Sequence, residues 1–467
     1  PSVVYGFFGI AFLLPLLSEI APNNGSGLAA VSLILGVMIL PTVVSLSRVA
    51  LEAVPGSLYE GSVALGATHA ETVFRVISPA AGSGIRASLV LGIGRAMGET
   101  MAVVMVAGNA VGFPSGLFSS FRVLTANIVM EMGYAGEVQE GALIATGVVL
   151  LGLILLVNLV FGLISGRLVR NSVRREKKRH RLKPAGVTLL PPGLLRGFAI
   201  AGGVLTGGIL ALIIGFVLAK GVPVLVRDPS ILYGRFAFGS SDITVLPALI
   251  STLWAVVLSL AAAVPVGIMT AIWLHEYAPR DGAAVRLIRG AIDLLAGVPS
   301  IVYGLFGMIA FVPLFGGSGS ILAGSLTVAM MLLPVVVRST EESLRAVPDS
   351  LREGSLALGA GKVRTVFRVV LPSALPGILS AVILSMGRVI GESAPLLYTM
   401  GSVIKAVPRG IFDSGATLAV ALWQLSGEGW YLNEAYATAV ILIVLVLVLN
   451  LVARRCAAGL GKRIRGI

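Results

Sequence analysis

Long apolar runs constrain this chain more than any other feature. Roughly ten of them follow one another, near 1–17, 28–47, 82–107, 141–164, 196–219, 246–274, 290–315, 319–337, 373–400 and 434–453. A bilayer core of about 30 Å is crossed by ~20 apolar residues in a helix. The runs are unbroken and lack the alternation, over about ten residues, of a membrane barrel. The fold class they imply is all-α and polytopic, with about ten transmembrane helices. Charge agrees, since only 12% of residues are charged, against about 25% in a soluble domain. A soluble enzyme, a disordered chain and a secreted disulfide scaffold are thereby excluded. Cys456 is the sole cysteine, so no internal disulfide forms. His69, His180 and His275 are far apart beside charged loops, and no metal site is expected.

Basic residues set the orientation. Arg167, Arg170, Arg174, Arg175, Lys177, Lys178, Arg179, Arg181 and Lys183 crowd between the fourth and fifth runs, opposed by Glu176. Arg454, Arg455, Lys462, Arg463 and Arg465 mark the tail. Both segments belong in the cytoplasm by the positive-inside rule. Topology accounts for the basic run without nucleic acid or anionic lipid as its partner; the bilayer is the partner expected. The stretches near 109–140 and 401–433, acidic or mixed and aromatic, are then outer loops.

The chain repeats itself. Pro1-Ser-Val-Val-Tyr-Gly-Phe-Phe-Gly matches Pro299-Ser-Ile-Val-Tyr-Gly-Leu-Phe-Gly, an offset of 298. From Val54-Pro55 and Val347-Pro348 onward the offset is 293, through Gly94-Arg95 with Gly387-Arg388 and Gly98-Glu99 with Gly391-Glu392. Both copies run the same way, which predicts two parallel homologous halves about an axis along the membrane normal. The second copy has six runs and the first shows the last four. The chain also opens inside an apolar run, so the first half is expected to be incomplete, without its first two helices. The expected organisation is a first domain at 1–165, a basic linker at 166–195 and a second domain at 196–467.

Each copy carries a polar loop with Glu60, Gly66, Arg75 and Pro79, or Glu353, Gly359, Arg368 and Pro372. The spacing predicts a short helix from Leu58 to Leu65, and from Leu351 to Leu358, stopped by a glycine at positive φ. A second short helix then leads to the proline. This pattern resembles the EAA loop of binding-protein-dependent ABC importers, with Gly-Ser where that loop has two alanines. The resemblance implies the type I ABC importer (MetI-like) permease fold. It also implies that Glu60, Gly66, Arg75, Glu353, Gly359 and Arg368 belong to coupling segments inserted into a cytoplasmic ABC ATPase dimer. ATP and Mg would reside in that dimer, with no cofactor in this chain. The chain itself has no P-loop: Gly359-Ala-Gly-Lys-Val has Leu356 in place of the first glycine and Val363 in place of the hydroxyl.

The Pro299 and Pro1 segments, Glu276-Tyr-Ala-Pro and the repeated Gly-Arg-x-x-Gly-Glu are similar to the membrane subunits of phosphate importers. Residues 1–170 resemble the C-terminal part of a PstC-type subunit, and residues from about 195 a PstA-type subunit. This implies a bacterial cytoplasmic (inner) membrane protein that works with an extracytoplasmic phosphate-binding protein. A phosphate-sensing signalling complex is a further implied partner.

Arg95, Glu99, Arg388 and Glu392 lie inside apolar runs, where a charge costs about 2.5–3.5 kcal/mol unless it meets a cavity or a partner. Spacing i, i+4 places each Arg and Glu on one helix face. Two guanidinium groups would thus face a central pathway and match phosphate oxygens, each held by its glutamate. Thr100 and Ser393, directly after each glutamate, are candidate secondary donors, with helix-packing hydroxyls the favoured reading. The competing reading is a structural salt bridge that pins the helix. The expected activity is alternating access driven by separate ATPases, with Pro395 kinking its helix. The rival readings are a permease for sulfate, molybdate or another oxyanion, a non-transporting phosphate-sensing scaffold, and a passive anion channel.

Overall fold

The computed structural model describes residues 1–20, 23–178, 192–234, 244–279, 282–404, 406–427 and 431–464. Among the described residues the elements are helices, with one isolated bridge between Gly108 and Phe121. Seven helices are long and apolar enough to cross a membrane: Leu28–Glu52, Glu137–Val157, Gly197–Arg227, Leu246–Tyr277, Ile321–Arg345, Lys362–Gly391 and Leu432–Ala457. Two bent pairs, His69–Ala80 with Gly82–Met97 and Ala283–Ala296 with Ser300–Ala310, bring the number to nine. The run near 1–17 becomes the shorter helical stretch Ser2–Ser18. The chain is a multi-pass membrane protein. Of the basic linker, residues 166–178 continue the helix Glu137–Lys178. Arg179, His180, Arg181 and Lys183 lie outside the described residues, as does Arg465 in the tail.

Four expectations are corrected. The run at 290–315 is not one straight helix: Ala283–Ala296 turns by 109° into Ser300–Ala310. The turn falls at Gly297-Val298-Pro299, and a proline disfavours helical geometry in the residue before it. The runs at 82–107 and 373–400 are also interrupted. Gly82–Met97 stops before Met101–Val106, and Leu371–Gly391 stops before Ala394–Thr399. Pro395 therefore opens a helix, in a first turn where its missing N–H costs nothing, and does not kink one. The outer stretches contain inserted apolar helices, Leu124–Glu131 and Leu418–Gly427. Ala126, Ile128, Leu418 and Leu422 on them are buried.

The repeat is physical as well as textual. A Cβ on Gly6 would lie 3.0 Å from the Cα of Ala102, and one on Gly304 would lie 3.0 Å from the Cα of Pro395. These are equivalent crossings, where glycine lets two helices approach closely. The Gly27 N–H donates to the Val106 carbonyl at 3.3 Å, and the Ser320 N–H to the Thr399 carbonyl at 3.0 Å, again at matching positions. One apolar core runs through both copies. Helix Pro192–Arg227 stitches them together: the Phe216 ring is 5.7 Å from Phe8, 5.3 Å from Phe12 and 6.0 Å from Tyr436. A second, smaller core gathers Ile272, Leu274, Val337, Leu344, Val366 and Val370 beneath the polar loop of the second copy.

Candidate substrate pathway and docking loops

The interrupted spans meet the Pro-Ser segments, and they do so across the copies. A Cβ on Gly98 would lie 3.6 Å from the Cα of Pro299, and one on Gly391 would lie 3.1 Å from the Cα of Pro1. Each Gly-Glu break in one copy is therefore faced by the Pro-Ser segment of the other.

The four charged residues gather around this crossing. Glu99 lies beside Ser2 and within electrostatic reach of Glu392 and Arg95. Its Oε1 accepts from the Ala102 N–H at 3.5 Å. Arg388 Nε donates to Glu392 Oε1 at 3.4 Å, with the two side chains 40% and 18% exposed. The i, i+4 pair expected in both copies forms in the second. In the first, Arg95 Nη1 turns to Thr42 Oγ1 at 2.9 Å. The physical reason is local. The helix of Arg95 ends at Met97, one residue before Gly98, so Glu99 leaves the helical register that would bring it back to Arg95. Helix Leu371–Gly391 persists up to the residue before Glu392. Both arginines are exposed within apolar spans, an arrangement suited to a water-filled cavity rather than lipid. Thr100 is buried and its hydroxyl donates to the Gly98 carbonyl at 3.4 Å. The Ser393 hydroxyl is buried without a partner.

The polar loops fold alike. Helices Gly56–Ala64 and Asp349–Ala357 begin two residues before the expected starts, with Pro55 and Pro348 at their N-caps. Gly66 and Gly359 follow at φ of 86° and 81°, as expected of a helix stop. Ser62 and Thr72 share a hydroxyl hydrogen bond of 3.0 Å, and Ser355 and Thr365 one of 2.9 Å. The serine that replaces an alanine of the EAA pattern thus ties the first short helix to the second. Wide helical turns at Val73–Ile77 and Val366–Val370 precede Pro79 and Pro372. Such a turn accommodates a ring that would otherwise clash with the carbonyl four residues back.

Glu60, Glu353, Arg75, Arg368, Gly66 and Gly359 are all exposed. Leu65 and Leu358, one before each glycine, are 91% and 90% exposed. Beside the second loop, Gly361, Lys362, Val363, Arg364, Phe367 and Arg368 line an open groove of about 610 Å³. A leucine is thus exposed beside charged residues at the same place in both copies.

Sequence reasoning missed Thr42, Ser2 and the proline–glycine crossings. Thr42 had no signal, since Val335 stands at its matching position. Ser2 and the crossings had a signal in the repeat, because the Pro-Ser and Gly-Glu segments recur together. What pairs them is the fold, since each partner sits in the opposite copy.

Comparison with known proteins agrees with this architecture. Residues 1–170 and 263–466 match the family model described as "Binding-protein-dependent transport system inner membrane component". The probable ABC transporter permease protein YqgI of Bacillus subtilis is 36% identical over 231 residues, covering 46% of this chain and 78% of that protein. The phosphate transport system permease protein PstA of Mycobacterium leprae is 43% identical over 207 residues, covering 44% and 67%. A PstA homolog of Mycoplasma pneumoniae is 29% identical over 462 residues, covering 86% and 70%. With two matched segments that together span most of its length, the chain belongs to the family of inner membrane components of binding-protein-dependent (ABC) transport systems.

Proposed function

We propose that this chain is the membrane-spanning permease of an ATP-driven importer of inorganic phosphate in a bacterial inner membrane. The observation that carries the anion is the crossing itself. It holds Arg95 and Arg388, exposed within apolar spans, where the two copies meet. Guanidinium groups suit phosphate oxygens geometrically. Glu99 and Glu392 beside them keep the site from retaining its cargo, as conduction requires. The narrowing from oxyanion to phosphate is supported by relatives named as phosphate transport permeases. The Mycoplasma relative aligns with both copies, which supports two permease domains working in one chain.

Energy enters through the two docking loops. Their exposed leucines and Glu60, Glu353, Arg75 and Arg368 receive the cytoplasmic ATPase dimer, which binds ATP and Mg. An extracytoplasmic binding protein delivers the cargo. Each loop leads directly into the span that carries an arginine, so closure of the ATPases moves the pathway. The chain contributes no hydrolysis of its own.

The test is uptake of labelled phosphate into vesicles holding the permease with its ATPase and binding protein, with sulfate and molybdate as competitors. Phosphate-selective, ATP-dependent uptake is expected. Arg95→Ala and Arg388→Ala should each lower it about tenfold, the factor that ~1.4 kcal/mol of charge-assisted contact sets. Uptake of sulfate in preference to phosphate would move the cargo, and full activity in both variants would defeat the pathway assignment.

A further inference from the structure

Arg352 lies on the docking helix Asp349–Ala357, next to Glu353, but its side chain is only 15% exposed. A guanidinium carries five N–H donors, and five hydrogen bonds leave this one. Nε and Nη2 donate to Glu276 Oε1 at 3.1 and 2.9 Å. Nη1 donates to the Val347 carbonyl at 2.7 Å and to Asp349 Oδ1 at 3.0 Å. Nη2 donates to the Leu344 carbonyl at 2.7 Å. Three elements are joined by this one side chain. Glu276 lies in the last turn of the span Leu246–Tyr277, Leu344 and Val347 lie at the end of Ile321–Arg345, and Arg352 itself belongs to the docking helix.

A plainer role is a cap on the exposed carbonyls of Ile321–Arg345, which a cation at a helix C-terminus supplies. That role needs no carboxylate from a separate span. Glu276 is 76 residues away in sequence and only 8% exposed. Burying a carboxylate is costly unless a partner meets it in good geometry, and Arg352 is that partner. The first copy is built otherwise: Tyr59 stands at the matching position, and its hydroxyl pairs with His69 Nδ1 at 2.9 Å inside its own loop.

We propose that Arg352 and Glu276 form a strut that makes the second docking helix one rigid body with two membrane spans, so that ATPase motion reaches the pathway through this pair. Arg352 and Glu276 are positioning residues, and the proposal rests on the reading of Asp349–Ala357 as an ATPase-docking helix. With the strut cut, the helix still offers Glu353 and Leu358 to the ATPase. It then moves without carrying the spans, and hydrolysis is wasted.

The experiment measures ATP hydrolysed per phosphate imported by the assembled transporter, together with ATPase co-purification. Arg352→Met and Glu276→Gln should keep the ATPase bound and raise the ratio about tenfold, within the usual range of coupling energies. Arg352→Lys, which restores the charge opposite Glu276, should recover part of the loss. Tyr59→Phe should leave the ratio unchanged. A wild-type ratio in both Arg352→Met and Glu276→Gln overturns the strut. If those variants do not assemble, hydrogen exchange on the wild-type complex decides. Addition of a non-hydrolysable ATP analogue should change protection at 349–358 and 271–277 together, and a change at 349–358 alone overturns the strut. Glu353→Lys leaves the strut intact and reports on docking separately: normal ATPase co-purification in that variant defeats the docking reading, not the strut.

Discussion

Arg95 and Arg388 occupy matching places in the repeat yet keep different company. Arg388 is held by Glu392, whereas Arg95 is held by the Thr42 hydroxyl. Thr42→Val should therefore free Arg95 and lower phosphate uptake several-fold, while Val335→Thr, at the matching position of the second copy, should leave uptake unchanged; a transport assay on both variants checks this. At the loops, Gly66 and Gly359 sit at positive φ with open space where a Cβ would go. Alanine there meets only backbone strain, of about 1–2 kcal/mol. Gly66→Ala and Gly359→Ala should each weaken ATPase co-purification without changing membrane insertion. These glycines were legible in the sequence because a helix stop has a chemical signature of its own. The pairing of Arg95 was not legible. Spacing i, i+4 predicts a neighbour only while the helix lasts, and this helix ends between the two residues.

At the level of elements, hydropathy located nearly every span and missed every interruption. A break at Gly98 or Glu392 changes φ and ψ while the flanking residues stay apolar, so a sliding window sees one continuous run. The inserted helices Leu124–Glu131 and Leu418–Gly427 escaped for the opposite reason: they are shorter than a span and were absorbed into outer loops. The crossing of Ser300–Ala310 with Ala394–Thr399 depends on Gly304, where a Cβ would lie 3.0 Å from a backbone Cα. Overpacking of this kind costs about 1–3 kcal/mol. Gly304→Ala should lower the midpoint of thermal unfolding of the purified transporter, with Gly290→Ala, where a Cβ meets nothing, as the neutral control.

Across the whole molecule the copies are joined by more than chain continuity. The Tyr398 hydroxyl lies 3.2 Å from the Ile128 carbonyl and 2.8 Å from that of Val129, so it reaches from one copy into an inserted helix of the other. Tyr398→Phe should remove about 1 kcal/mol of that junction, read as a lower thermal midpoint with phosphate selectivity kept. The two-copy plan was legible because a repeat is visible without any knowledge of contacts; the interlock between the copies was not, since sequence offset shows which residues are equivalent and not which ones touch. That interlock bears on inheritance. Position 98 is packed against 299 and position 391 against 1, so neither copy drifts alone. A bulkier residue at one site has to be answered some hundreds of codons away. A change at either crossing is therefore written in one copy and felt in the other.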